Sequence, residues 1–182
     1  LHGPSVSALY SLSGSKEKAG VVCQDDFDEF YRREIGPLVA FVRRAGFGWH
    51  QACDAAQEAM VRAYATWSEL HQPRAWVRRT AYRHATSDAA RTNESVKRAV
   101  VGGWTVSTHT DPEVAILGYE HEQLLKALGS LPVQQRLVMA WTLDGFTNHE
   151  IARQLQMSTA TVRSNLRHAR NALKAVYLNR TP

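Results

Sequence analysis

The chain has 182 residues, with 22 Lys plus Arg against 17 Asp plus Glu and a formal charge of +5; this length suits one domain or two small ones. The basic balance favours polyanionic partners, and no run of about eighteen apolar residues offers a membrane span. Two cysteines, Cys23 and Cys53, make neither a disulfide framework nor a CxxC metal knuckle, so a reducing cytoplasm is the expected setting. The first stretch, LHGPSVSALYSLSGSKEKAG, lacks the charged start and long apolar core of a signal peptide. Residues 1–24 are expected to form a disordered tail.

From there the pattern is helical. Phe27, Phe30, Tyr31, Leu38, Phe41 and Val42 trace an apolar stripe, with a kink or restart expected at Pro37. Gly46 to Gly48 breaks that element. A second stripe runs from Ala52 to Trp67 through Ala56, Ala59, Met60, Ala63 and Tyr64. Pro73 suits a first helical position and opens a third helix, with Trp76, Val77, Thr80, Ala81, His84 and Ala85 at helical spacing and an end expected near Arg91 to Asn93. These three helices are expected to bury a core of their own. Residues 93–110 lack periodicity and contain Gly102-Gly103, which reads as a linker. Asp111-Pro112 starts a fourth helix carrying Leu117, Leu124, Leu125 and Leu128. Leu131-Pro132 begins a fifth, ending at Asp144-Gly145. The expected class is all-α: two small helical domains at 25–93 and 112–179, joined by a flexible linker at 94–111.

Leu143 to Arg170, LDGFTNHEIARQLQMSTATVRSNLRHAR, reads as a helix-turn-helix. Thr147 and Glu150 form a capping box, and Ile151, Ala152 and Leu155 give the short first helix its buried face. Gln156-Met157 makes the turn, and Ser158 caps the second helix. That helix turns Val162, Leu166, Ala169 and Leu173 inward, leaving Arg163, Ser164, Arg167, His168 and Arg170 outside. A polar, basic second helix fits insertion into a major groove. The competing reading is a helical hairpin whose basic face is merely solvated.

The first domain mixes cations (Arg62, Arg74, Arg78, Arg79, Arg83, Arg91) with aromatic rings (Tyr64, Trp67, Trp76, Tyr82). Single-stranded DNA binding uses such a mixture, with cations on phosphates and rings stacked on bases. Tyr64, Trp67 and Trp76 lie on apolar faces and are assigned to core packing. Tyr82, Arg79, Arg83 and the loop from Ser68 to Arg74 are better placed to face a ligand.

Together these segments resemble the extracytoplasmic-function sigma factors, the small two-domain class of bacterial RNA polymerase specificity subunits. The resemblance rests on FDEFYRREIGPLVAFVRR, DAAQEAMVRAYATW, PRAWVRRTAYRHATSDAAR and LGSLPVQQRLVMAWTLDGFTNHEIARQLQMSTATVRSNLRHAR, in this order, covering Asp26 to Tyr177. It implies a bacterial, cytoplasmic, nucleoid-associated initiation factor that binds core polymerase at the largest-subunit clamp helices and the beta flap. It also implies promoter DNA and an anti-sigma factor as partners, and neither a cofactor nor a metal. Asp54, Gln57 and Glu58 fall where the family docks on polymerase. Ser68, His71, Arg74, Arg79, Tyr82 and Arg83 fall where it captures a flipped minus-ten base. Thr159, Thr161, Arg163, Ser164, Arg167, His168 and Arg170 fall on its minus-35 reader. Held by an anti-sigma factor, the two domains are expected to pack together with their polymerase surfaces covered.

Three positions depart from the family pattern. Cys53 replaces an acid, Arg83 stands where Asn is common, and Gln156-Met157 replaces a Leu-Gly-like turn. The alternative function is a stand-alone helix-turn-helix regulator, which shares the second half but needs a dimer surface or ligand pocket. An enzyme is disfavoured, since the histidines show no HExxH-like spacing and no Ser/His/Asp or Cys/His set can be argued.

Overall fold

The computed structural model describes the backbone of residues 13–101 and 119–178, and the side chains of residues 26–92 and 122–175. Among the described residues there are seven α-helices, one short 3-10 turn and no strand. Helices α1 (Ser13–Arg44), α2 (Trp49–Ala65) and α3 (Pro73–Val101) form one unit, with the 3-10 turn Trp67–Glu69 between α2 and α3. Helices α4 (Tyr119–Gly129), α5 (Val133–Leu143), α6 (Asn148–Leu155) and α7 (Thr159–Leu178) form the other.

Two expected boundaries move by more than a helical turn. Helix α1 begins at Ser13, so residues 13–24 of the expected tail are helical. The run Lys16-Glu17-Lys18-Ala19 is made of good helix formers, and extending an existing helix adds one backbone bond per residue fixed. Helix α3 likewise continues to Val101, past the expected end at Arg91 to Asn93. Loss of apolar periodicity removes a helix's buried face without breaking it; neither Gly nor Pro occurs between Arg74 and Val101. Residues 102–118, with the expected start at Asp111-Pro112 and Leu117, lie outside the described residues, as does the Cys23 side chain.

Helix α1 also runs without interruption through Pro37. The proline lacks the N–H that would bond the Arg33 carbonyl, but Arg33, Gly36 and Pro37 are all exposed, so that carbonyl lies on the solvent side. Phe27, Phe30, Leu38, Phe41 and Val42 occupy the buried side of α1. Helix α2 presents Ala52, Ala55, Ala56, Ala59 and Ala63 inward, and such small contact residues bring its axis close to its neighbours. Gly46 turns the chain between α1 and α2 with φ +108, a conformation that favours glycine.

The core shared by α1–α3 is continuous with that of α4–α7. Buried apolar residues form one continuous cluster running from Phe27 through Phe41 and Trp141 to Ala169. Helix α1 provides the join, packing against α4 and α5 as well as α2 and α3. At the centre Phe41 meets Trp141 edge-on at 5.1 Å between centroids, and Trp141 meets Phe146 at 4.8 Å.

Candidate nucleic-acid interface

The helix-turn-helix forms as its sequence dictates. Thr147 N–H donates to Glu150 Oε2 at 2.8 Å, and Glu150 N–H donates to Thr147 Oγ1 at 3.3 Å. This capping box satisfies two orphan donors at the start of α6. The hydrogen bonds from the Thr147 hydroxyl and backbone N–H hold the Glu150 carboxyl below its ordinary range. Gln156 then takes the left-handed conformation, φ 54, and Met157 N–H bonds the Ala152 carbonyl at 2.9 Å. Ser158 Oγ accepts from Thr161 N–H at 3.0 Å, opening α7. The usual left-handed residue at such a helix end is Gly; here Gln156 occupies that geometry.

Helix α7 buries Val162, Leu166 and Ala169, half-buries Leu173, and exposes Thr161, Arg163, Ser164, Arg167, His168 and Arg170, with Thr159 half-buried. A shallow cleft of about 220 Å³ gathers Arg163, Arg167 and Arg170 with Asn148 and Asn171. Both asparagines were missed from the sequence. Asn171 stands four residues after Arg167 on the same helix face, a spacing that could have revealed it. Three guanidinium forks and two amides supply the donor chemistry used on guanine edges and phosphate oxygens.

A second basic cleft, about 430 Å³, opens along α3 and the end of α2. It is lined by Arg62, Trp76, Arg79, Thr80, Arg83, His84, Ser87 and Arg91. Of the six minus-ten candidates, Arg79 and Arg83 meet here. Ser68 and His71 are exposed on the preceding turn and loop. Tyr82 instead packs edge-on against Phe47 at 5.8 Å, and Arg74 turns into an ion cluster described below. Thr80, His84, Ser87 and Arg91 were not among the expected site residues; they join Trp76 on one side of α3 at three- and four-residue intervals. The core assignments divide. Trp67 packs between Phe27 and Phe30 at 5.2 and 4.9 Å, Trp76 is half-buried at the cleft, and Tyr64 is 53% exposed.

The polymerase candidates lie on α2. Asp54 and Gln57 are exposed, while Glu58 is half-buried and held by Arg62 at 2.7 Å. Beside Gln57 a groove of about 450 Å³ runs between α1 and α2, lined by Phe27, Asp28, Tyr31, Gln57, Met60, Val61 and Tyr64. Exposed Tyr31, Val61 and Tyr64 give it an apolar lip.

An ion cluster lies between the two helical units, with Glu34, Arg78 and Asp144 buried and Arg74 at its exposed rim. Arg78, at 0% exposure the most deeply buried cation, donates to the Asp144 carboxylate and holds Glu34 Oε2 at 2.9 Å. Arg74 donates to the Asp144 carbonyl, pairs with Glu34 Oε2 at 3.5 Å, and lies over the Phe146 ring at 4.9 Å. Arg44 adds a third cation, 3.6 Å from Asp144 Oδ1. Nearby, Arg153 of α6 donates to the Gln72 side chain at 3.2 Å. Every one of these links to Asp144 or Arg153 joins α1–α3 to α4–α7.

Residues 121–173 match the family model described as sigma-70, region 4. A comparison with curated protein sequences finds no match. Among solved structures, the chain is similar to CnrH in complex with the cytosolic domain of CnrY, at 21% identity and TM-score 0.62, over 87% of this chain and 91% of that one. It is also similar to the sigma factor RpoE in complex with the anti-sigma factor NepR from Bartonella quintana, at 21% identity and TM-score 0.68, over 86% and 99%. Residues 121–173 are thus similar to sigma-70 region 4, within an all-α fold similar to that of the sigma factor RpoE.

Proposed function

We propose that the chain is an alternative sigma factor of the extracytoplasmic-function type, acting in the bacterial cytoplasm at the nucleoid. The observation that carries this reading is the matched region 4 domain, whose α7 presents Arg163, Arg167 and Arg170 in one open cleft. In this reading α7 lies in the major groove of the minus-35 element. Its cations take phosphates or guanine edges, and Thr159, Thr161, Ser164 and His168 complete the contact. The α3 cleft holds the opened minus-ten strand, with Arg79 and Arg83 on phosphates or a base edge and Trp76 available for stacking. Ser68, His71 and Tyr82 border that path, and Arg74 joins it once freed from Asp144.

Asp54, Gln57 and Glu58 dock on the clamp helices, and the apolar groove beside Gln57 supplies the desolvated centre that such a contact needs. The beta flap takes the region 4 unit, and an anti-sigma factor is the expected inhibitor. The chain makes and breaks no bond itself and needs no cofactor; it lends the polymerase promoter choice.

Pull-down of bacterial core RNA polymerase, followed by run-off transcription from a promoter library, tests the proposal. Stable association with sequence-selective initiation is expected. Tight duplex binding without polymerase association would replace it with a stand-alone helix-turn-helix regulator.

A further inference from the structure

We infer that the ion cluster of Glu34, Arg44, Arg74, Arg78 and Asp144, whose Glu34, Arg78 and Asp144 are buried, is an internal latch that holds the chain by itself in a closed state unable to read a promoter. The inference rests on the sigma-factor reading for its consequence, but not for its geometry. Asp144 reaches out of the α5 C-terminus to face Arg44 of α1 and Arg74 and Arg78 of α3. Glu34 of α1 joins Arg74 and Arg78. Among the described residues, one carboxylate of α4–α7 therefore has its three cationic partners on α1–α3.

Closure blocks function by distance rather than by covering the reading surfaces. The α7 cations, the α3 cleft and the α1–α2 groove all stay open in the closed form. Elements named for positions 35 and 10 lie about 25 base pairs apart, roughly 85 Å of duplex at about 3.4 Å per base pair. A compact chain of this length has a radius of gyration of about 16 Å, too small to set both readers on their elements at once. Closure also occupies Gln72 and Arg74, in the loop ahead of the α3 cleft, through Arg153 and Asp144.

The chemistry makes the latch both specific and releasable. Removing Asp144, the buried carboxylate that faces Arg78 across the two units, leaves a buried guanidinium less compensated, so the closed state depends on it. Yet Asp144 and the guanidinium groups that face it regain hydration on opening, which an all-apolar interface cannot offer. Closure also leaves Trp141 Nε1 and Arg78 Nη2 buried without a hydrogen-bond partner, a cost that opening removes.

Small-angle scattering on the purified full chain, with no partner present, tests the latch. The wild type should give a radius of gyration near the compact value of about 16 Å, and Asp144→Asn should exceed about 20 Å, as two separated units require. Buried Trp141 should add a red-shifted component to the emission as it meets water, with far-UV circular dichroism unchanged. Arg44→Gln, at the cluster's rim, provides an independent second variant should Asp144→Asn lose its helical signal. A wild type already above about 20 Å, or a folded variant as compact as wild type, would overturn the latch. On polymerase, Asp144→Asn should associate severalfold faster than wild type. If neither form binds polymerase, the sigma-factor reading fails, while scattering still decides the latch.

Discussion

Arg167 shows how far a single side chain can be argued. It is exposed on α7 between Arg163 and Arg170, in a cleft that also holds Asn148 and Asn171 and is lined by no residue of α2. Arg167→Ala should therefore weaken minus-35 duplex binding by about 1–3 kcal/mol, the span of a bidentate base contact. Core polymerase association should stay intact. Fluorescence anisotropy with a duplex, beside a polymerase pull-down, separates the two effects, and equal losses in both would move α7 out of the groove. Arg74 teaches the opposite lesson. The sequence places it beside Ser68 and His71 in a ligand-facing loop, but its guanidinium lies between Glu34, Asp144 and the Phe146 ring. An arginine's reach is about as long as a helical turn, so its position on the chain leaves its partner open.

Helix α6 is the element whose stability depends most visibly on local chemistry. It has eight residues, too few to persist alone, and begins with the reciprocal Thr147–Glu150 bonds. Because the Glu150 pKa is lowered in the fold, its contribution is fully present above the unfolded value and lost as pH falls through the folded one. Glu150→Gln should lower the melting temperature modestly near pH 7, with the gap to wild type closing below about pH 4, where unperturbed glutamates protonate. A gap independent of pH, in thermal melts from pH 7 to 3, would show that the cap acts without its charge. The two helices that outrun their expected ends, α1 toward Ser13 and α3 toward Val101, make the converse point. A helix needs packing to be oriented, but a run of good formers suffices to prolong it, through Gly14 and Gly20 in α1 and with neither Gly nor Pro after Pro73 in α3.

At the scale of the molecule, Trp141 joins two units that the sequence presents as separate. It is fully buried and touches Phe41 from one unit and Phe146 from its own. Trp141→Ala should cost about 3–5 kcal/mol in denaturant unfolding. The loss should fall on both units, because α1 and α5 share that contact. A destabilisation confined to α4–α7, read by hydrogen exchange, would show that the units fold independently of their interface. The ion cluster beside Trp141 gives the same interface its directional specificity: only one arrangement of α1, α3 and α5 pairs Asp144 with Arg44, Arg74 and Arg78.

The helical class, the capping box and the inward and outward faces of α7 were all written in the sequence. Each follows from spacing within a few turns of one chain, where the 3.6-residue period and hydrogen bonds three residues apart leave little freedom. Helix ends were less legible, since a pattern records the residues that pack and the backbone stops only at a breaker. Tertiary structure decided which cations share a cleft, that Tyr82 meets Phe47, and that Glu34 and Arg78 are buried charges. Most of all it decided that Asp144, read from sequence as the end of a helix, joins two units across a separation of 66 residues from Arg78. Such a partnership depends on how whole helices are placed, and a side chain's charge announces the kind of partner it needs without saying where on the chain that partner lies.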